Sequence, residues 1–382
     1  MPDFASDDAS PLKAPFPYFG GKSKIAADVW SRLGDVHTYV EPFAGSLAVL
    51  LARPAAHSWW QRKETVGDAS GMVVNFYRAV AADPERVAGY ASWPVTEVDL
   101  TARHLALVRV QSDLADQLAA DPEFFDAKLA GWWVWGVSAW VGGEWCSGLG
   151  PWHPGSDTGP GVYRKMPMVA GNHGGKGVHK PLPGSPEALP DNGWDVDGLY
   201  RQHLERLFVR ISQRLRRVRI TCGDWSRLTK SAVEPRRGDV TGVFLDPPYD
   251  LSARRGDLYG PGDSTSMQNN DAGALHDRVR AWALSIGAEE KFRVAYCTYT
   301  NPEEDTEMAS AGWVPLQWSA AGGYGLQSTN RARENKDKEV VWFSPGCINP
   351  AGDTLFDVGD VPVPSNVTDG GHPDTGRPDT SS

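Results

Sequence analysis

The chain has no run of roughly 18 consecutive apolar residues, which argues against a spanning helix. Its opening segment, MPDFASDDASPLKAP, is acidic and lacks a hydrophobic stretch of signal-peptide length. Export is therefore not expected, and a cytoplasmic setting is. Cysteines are scarce: Cys146, Cys222, Cys297 and Cys347 lie far apart with no CxxC spacing. They read as reduced thiols rather than a disulfide framework. His153, His173 and His179 join Cys146 as ligand-type side chains, but the spacing fits no compact zinc pattern and no metal is expected. Positive charge is in deficit too, with a formal net charge of -10 over 382 residues. The first twelve residues hold three aspartates, and residues 345–382 hold six against Arg377, so the excess lies mostly in the ends. A near-neutral body still permits local basic patches.

What is present is an ordinary globular composition, 41% hydrophobic and 23% charged, which excludes wholesale disorder and coiled coil. Residues 1–12 and 346–382 read as disordered tails, poor in periodic apolar residues. Between them, short apolar runs at Tyr39–Val40, Val66, Val218–Thr221, Gly242–Leu245, Phe292–Cys297 and Glu339–Phe343 alternate with helical stretches. That rhythm predicts an α/β layered fold with a mainly parallel sheet. Residues 82–199 break the rhythm and read as an inserted, mostly helical module; the body is then 13–81 plus 200–345. Within the insert, Asp121-Pro122 reads as a helix start. Near Val196–Arg217 an apolar stripe runs through Leu204, Phe208, Ile211 and Leu215. Arg206, Arg210, Arg214 and Arg217 read as a separate face, solvated or facing phosphate.

The strongest chemical signal is Asp246-Pro247-Pro248-Tyr249, directly after Val243-Phe244-Leu245. Ligands in open α/β sheets bind beyond the carboxyl ends of strands, so this corner stands at the mouth of a site. Proline removes N–H donors and stiffens the turn, which leaves backbone carbonyls to accept. A carboxylate, a carbonyl and an aromatic ring held together suit a planar substrate carrying an exocyclic amine. A second segment, Tyr39 to Ser46, contains Glu41-Pro42-Phe43-Ala44-Gly45, in which Gly45 lets a ligand approach the backbone. Neither a GxGxxG nor a GxxxxGK[ST] pattern is present, which weakens NAD and ATP readings. Third, Tyr18-Phe19-Gly20-Gly21-Lys22 could bring an amine to an anionic ligand group. Asp68 and Asp224-Trp225 follow strands, where an acid receives ribose hydroxyls or caps a helix.

In this order the segments resemble the Dam-like, D12 class DNA adenine-N6 methyltransferases. That family pairs an FxGGK segment with a VEPFxG loop, an acid after the next strand, an inserted recognition region, a D[FW] motif and DPPY. The resemblance covers about residues 13–345. It implies a Rossmann-like methyltransferase sheet with an inserted target-recognition module, and S-adenosylmethionine as cofactor. It also implies a cofactor site of Tyr18, Gly20, Gly21, Lys22, Glu41, Pro42, Phe43, Gly45, Asp68, Asp224, Trp225 and Asp246. The Trp-rich insert and the Trp225 position depart from the family's usual pattern. The WWVWG…WC run looks like methyltransferases carried by bacteriophages.

The chemistry expected from these residues is methylation of the N6 amine of an adenine flipped out of duplex DNA. Asp246 and the Pro247 carbonyl would accept the amine hydrogens, and Tyr249 would stack on the base. Arg164, Lys165, Lys176 and Lys180, with Arg254 and Arg255, are the expected DNA contacts. N4-cytosine methylation is the nearest enzymatic rival, and a catalytically silent DNA-binding module with the same fold is a rival of another class. A restriction endonuclease partner is left open by the residues, and no membrane partner is expected.

Overall fold

Seven strands, among the described residues, form one sheet in the order β3-β2-β1-β4-β5-β7-β6. They are β1 (Thr38–Glu41), β2 (Lys63–Asp68), β3 (Val218–Cys222), β4 (Thr241–Leu245), β5 (Phe292–Tyr299), β6 (Val314–Gln317) and β7 (Glu339–Phe343). The structure is a computed structural model describing residues 12–18, 21–57, 61–139, 145–146, 199–229, 238–248, 269–318 and 339–350. Strands β1 to β5 pair in parallel, whereas β7 runs antiparallel to both β5 and β6. The chain moves outward from β1 to β2 and β3, then returns to place β4 on the other side of β1. That reversal of strand order is the switch point at which open α/β sheets bind ligands. Every residue of β4 and β7 is buried, as expected for strands covered on both faces.

Period-two alternation sorts the strand side chains into two cores. Tyr39, Phe244, Ala295, Cys297, Val341 and Phe343 share one core with α1 (Ala26–Leu33), α2 (Ala48–Leu51) and α3 (Gly71–Ala82). Val243, Leu245, Val294, Tyr296, Val340 and Trp342 share the other with α8 (Asn269–Gly287) and α9 (Pro302–Ser310). Helix starts carry local signals. Ser70 Oγ accepts the Val73 amide at the head of α3, and Asn301 Oδ1 accepts the Glu303 amide before Pro302. Such caps are each worth about 1 kcal/mol.

Between β2 and β3 the described chain forms α4 (Pro84–Ala91), α5 (Glu97–Ala120), α6 (Ala127–Ala139) and α7 (Leu199–Leu215). The expected boundary at residue 82 does not coincide with a break in packing. Val87, Ala88, Ala130 and Val134 belong to the same apolar core as β1 and α3. The helix expected from Asp121-Pro122 starts later, at Ala127. Asp121 caps the C-terminus of α5, and Asp126 accepts the Leu129 amide at 2.8 Å. Asn75 of α3 holds Asp126 on both sides, donating to its carbonyl and accepting its amide at 2.9 Å. That clamp fixes where α6 begins.

The arginine row on α7 also divides differently from its sequence pattern. Arg206 and Arg217 are exposed, but Arg214 is buried and donates to both oxygens of Glu64, at 2.6 and 2.8 Å. It stands three residues beyond Ile211 and so shares the apolar stripe. No helix among the described residues is long and apolar enough to cross a membrane. The two expected tails, 1–12 and 346–382, and most of the insert beyond residue 139 lie outside the described residues, apart from Leu12, Trp145–Cys146 and residues 346–350.

Candidate functional site

At the carboxyl end of β1 the chain turns sharply through Pro42 to Leu47. Gly45 has φ +45° and Leu47 φ +55°, both in the left-handed region. Three hydrogen bonds tie this loop to its neighbours. The Ala44 amide donates to the Gly67 carbonyl at 2.8 Å, the Gly45 amide to Asp68 Oδ2 at 2.9 Å, and the Tyr77 hydroxyl to the Gly45 carbonyl at 3.0 Å. The Tyr18 ring lies against Gly45 so closely that a Cβ there would stand 2.6 Å from it. Only glycine admits that approach. Asp68 also accepts the Ser70 amide through Oδ1 at 2.8 Å. Gly21, directly before Lys22, donates its amide to the Tyr18 carbonyl at 3.0 Å. Tyr18, Gly45 and Asp68, distant in sequence, therefore meet at one rim.

Asp224 and Trp225 complete that rim beyond β3. Asp224 Oδ1 accepts the Ser226 amide at 2.9 Å and heads a short 3-10 helix, Trp225–Leu228. Trp225 is buried and stacks on Phe43, with ring centroids 6.2 Å apart and 27° between planes. Its indole Nε1 is buried with no hydrogen-bond partner among the described residues.

A second constellation lies one strand across. Glu41, Asp246, Cys297 and Glu339 come from four neighbouring strands or their ends, β1, β4, β5 and β7. Alternation turns them to the same face. Lys22 reaches into this row from the short 3-10 helix Lys22–Lys24. Its Nζ lies 2.8 Å from Asp246 Oδ1, 4.0 Å from Glu339 Oε2 and 5.7 Å from the centre of the Trp318 ring. Lys22 and Glu339 are buried, while the Asp246 side chain keeps 18% exposure. Asp246 thus faces the opening while its counterion does not. The Lys22 amine was expected to meet an anionic ligand group; in the structure it meets Asp246. Burial alone would lower its pKa, but the charges of Asp246 and Glu339 outweigh that and raise it.

Glu41 is buried and accepts the Tyr39 hydroxyl at 2.9 Å. Burial pushes its carboxyl up to about 8, against the Tyr39 bond and with help from the Asp246 charge. Burial and the nearby carboxylates likewise push the Cys297 thiol well above its usual value. Pro247 is buried and Pro248 half-buried, so the turn after β4 is rigid and firmly seated.

The residues present fit S-adenosylmethionine on one observation: the aromatic pair Phe43–Trp225 at the rim carries an orphaned buried N–H. An ionised carboxylate offers about four lone-pair sites, so amide bonds and ribose hydroxyls are compatible at Asp68. Gly20, Tyr249, Arg164, Lys165, Lys176, Lys180, Arg254 and Arg255 lie outside the described residues, as do His153, His173 and His179. Among the described residues no three His, Cys, Asp or Glu side chains are grouped to hold a metal ion. Sequence reasoning missed Glu339, Cys297, Trp318, Tyr39 and Tyr77. For Glu339 one signal was available: a carboxylate opening an otherwise apolar strand, EVVWF, in phase with Val341 and Phe343.

No curated protein matches the chain. A family model does match. Residues 18–95, which hold Tyr18, Lys22, the Gly45 loop and Asp68, match the D12 class N6 adenine-specific DNA methyltransferases, and so agree with the sequence resemblance.

Proposed function

We propose that the protein methylates the N6 amine of adenine in duplex DNA, using S-adenosylmethionine, on a base flipped out of the helix. The observation that carries this reading is the Lys22–Asp246 pair at the switch point of the sheet, set beside the Gly45 loop. It gives one rim suited to a nucleoside cofactor and, next to it, an acceptor corner suited to an amine.

The N6 lone pair is delocalised into the purine ring, which makes the amine a poor nucleophile. Asp246 and the Pro247 carbonyl accept its two hydrogens and favour the pyramidal, attacking form. Lys22 holds Asp246 in place. When bound, S-adenosylmethionine supplies an electrophilic methyl group whose sulfur retains the bonding electron pair. Positive charge then grows on the amine nitrogen, beside a row of carboxylates, until its extra proton passes to solvent. Alignment of reactants can contribute about 7–11 kcal/mol. Tyr18, Gly21, Glu41, Pro42, Phe43, Gly45, Asp68, Asp224 and Trp225 would hold the cofactor. On sequence grounds, Gly20 joins them, Tyr249 would stack on the base, and Arg164, Lys165, Lys176, Lys180, Arg254 and Arg255 would meet DNA. Residues 82–199 would supply target recognition.

The test is a methylation assay on duplex DNA followed by hydrolysis to nucleosides. N6-methyl-2′-deoxyadenosine in the wild-type digest and none with Asp246→Ala is expected, while the variant still binds S-adenosylmethionine in calorimetry. N4-methyl-2′-deoxycytidine in its place would move the target base. An Asp246→Ala protein that methylates normally would end the reading.

A further inference from the structure

Strand β7 reverses direction relative to β5, and this brings its first residue, not its last, to the carboxyl end of the parallel strands. Glu339 pairs in register with Tyr299, the last residue of β5. It is 7% exposed, and its Oε2 lies 4.0 Å from Lys22 Nζ. Lys22 therefore bridges two carboxylates, one at the mouth and one behind it, with the Trp318 face as a third neighbour. A lysine stem carries four rotatable carbons, and a single contact with Asp246 leaves its ammonium several positions. The second anion and the ring reduce these to one.

We propose that Glu339 is a positioning residue for the Asp246 corner: it shares the Lys22 ammonium, fixes that amine against Asp246 Oδ1, and contributes a second negative charge behind the acceptor. The inference rests on the methyl-transfer reading of the site. With Glu339 in place, one lysine faces two aspartate and glutamate charges, and the row keeps an excess of negative charge toward the substrate amine. Without it, Lys22 pairs with Asp246 alone, and the corner becomes a neutral contact pair that accepts N–H donors more weakly. Glu339 touches no substrate; it acts through Lys22.

Full-length protein carrying Glu339→Gln or Glu339→Asp separates this role from a merely structural one. Glu339→Gln keeps the size and burial of the side chain and removes its charge. The expected result is a fall in kcat of about tenfold, the usual weight of an outer partner, with KM and Kd for S-adenosylmethionine within about twofold of wild type. Glu339→Asp recovers part of the rate. A Glu339→Gln enzyme with wild-type kcat would overturn the proposal. So would a rate loss matched by an equal loss of cofactor affinity. Wild-type protein that binds S-adenosylmethionine but leaves adenine unmodified would instead sink the parent reading, whatever the variants do.

Discussion

Two buried ionic clusters sit toward opposite ends of the strands, and their charges are balanced differently. Toward the amino end, Glu64 is gripped by Arg53 at 3.1 Å and by Arg214 through a bidentate pair. Arg53 also donates to the Val36 carbonyl at 2.6 Å, lies 3.5 Å from Asp35 and rests on the Trp30 ring. Arg62 donates to the other Asp35 oxygen at 2.7 Å, so three guanidinium groups face two carboxylates, and Arg53 Nε and Arg62 Nε have no hydrogen-bond partner among the described residues. Toward the carboxyl end, one lysine faces Asp246 and Glu339 with Glu41 close by. A network in which every carboxylate is matched by a guanidinium has no anionic excess to offer a ligand. An anionic one calls for a positively charged guest, and a reaction that builds positive charge on an amine provides it. Burial of charge alone distinguishes nothing; the residual sign does.

The comparison can be broken most forcefully at its amino end. Glu64→Gln strands two buried arginines and should cost about 3–5 kcal/mol of stability, seen as a lower denaturant midpoint. Folded Glu64→Gln protein should retain wild-type KM for S-adenosylmethionine; a selective kinetic defect would mean that the clusters are not separate in role. Asp246→Asn should do the reverse. It should lower kcat by about 10²–10³, or roughly 2.7–4 kcal/mol, a weight measured for single transition-state partners elsewhere. Its thermal midpoint should stay near that of wild type, since Lys22 keeps Glu339 as counterion.

Glu41 sharpens the contrast through pH. Its folded pKa, about 8, lies above the ordinary glutamate value of 4.5. The folded state therefore holds this proton longer than the unfolded chain, and the stability it contributes below pH 4.5 is lost as pH rises through 8. The slope approaches about 1.4 kcal/mol per pH unit within that window. Glu41→Gln should flatten it in chemical denaturation curves, and an unchanged slope would show that another group sets it. The smallest effect is expected of Gly45→Ala. An added Cβ at φ +45°, 2.6 Å from the Tyr18 ring, should cost about 1 kcal/mol or somewhat more. Cofactor affinity should fall with it, because the ring and the loop must separate.

Legibility in the sequence follows the range of the interactions. Strands β4, β5 and β7 announce themselves as apolar runs and β1 to β3 by shorter signals, Val66 alone in β2, and the Gly45 loop and the Asp246 corner stand directly at strand ends. Strand β6, Val314–Gln317, escapes notice because it is short and mostly exposed, with a proline inside it. Helix α5 is hard to anticipate, as Asp, Arg and Gln interrupt its apolar positions throughout. Asp121 could cap either neighbouring helix, and only the clamp from Asn75, 51 residues away, decides that α6 begins at Ala127. Lys22 looked available for a ligand because its partner is more than 200 residues distant, across the fold. Arg214 and Glu64 are 150 residues apart, so each alone reads as a surface charge.

The reversed course of β7 has one more consequence. β6 ends and β7 begins on the same side of the sheet, since Gln317 pairs with Val340. Trp318 donates its amide to the Glu339 carbonyl at 3.3 Å, so the end of one strand and the start of the other stand together beside Lys22. A slip in the pairing of β7 would therefore displace Trp318 and Glu339 together, and with them two neighbours of the Lys22 ammonium at once.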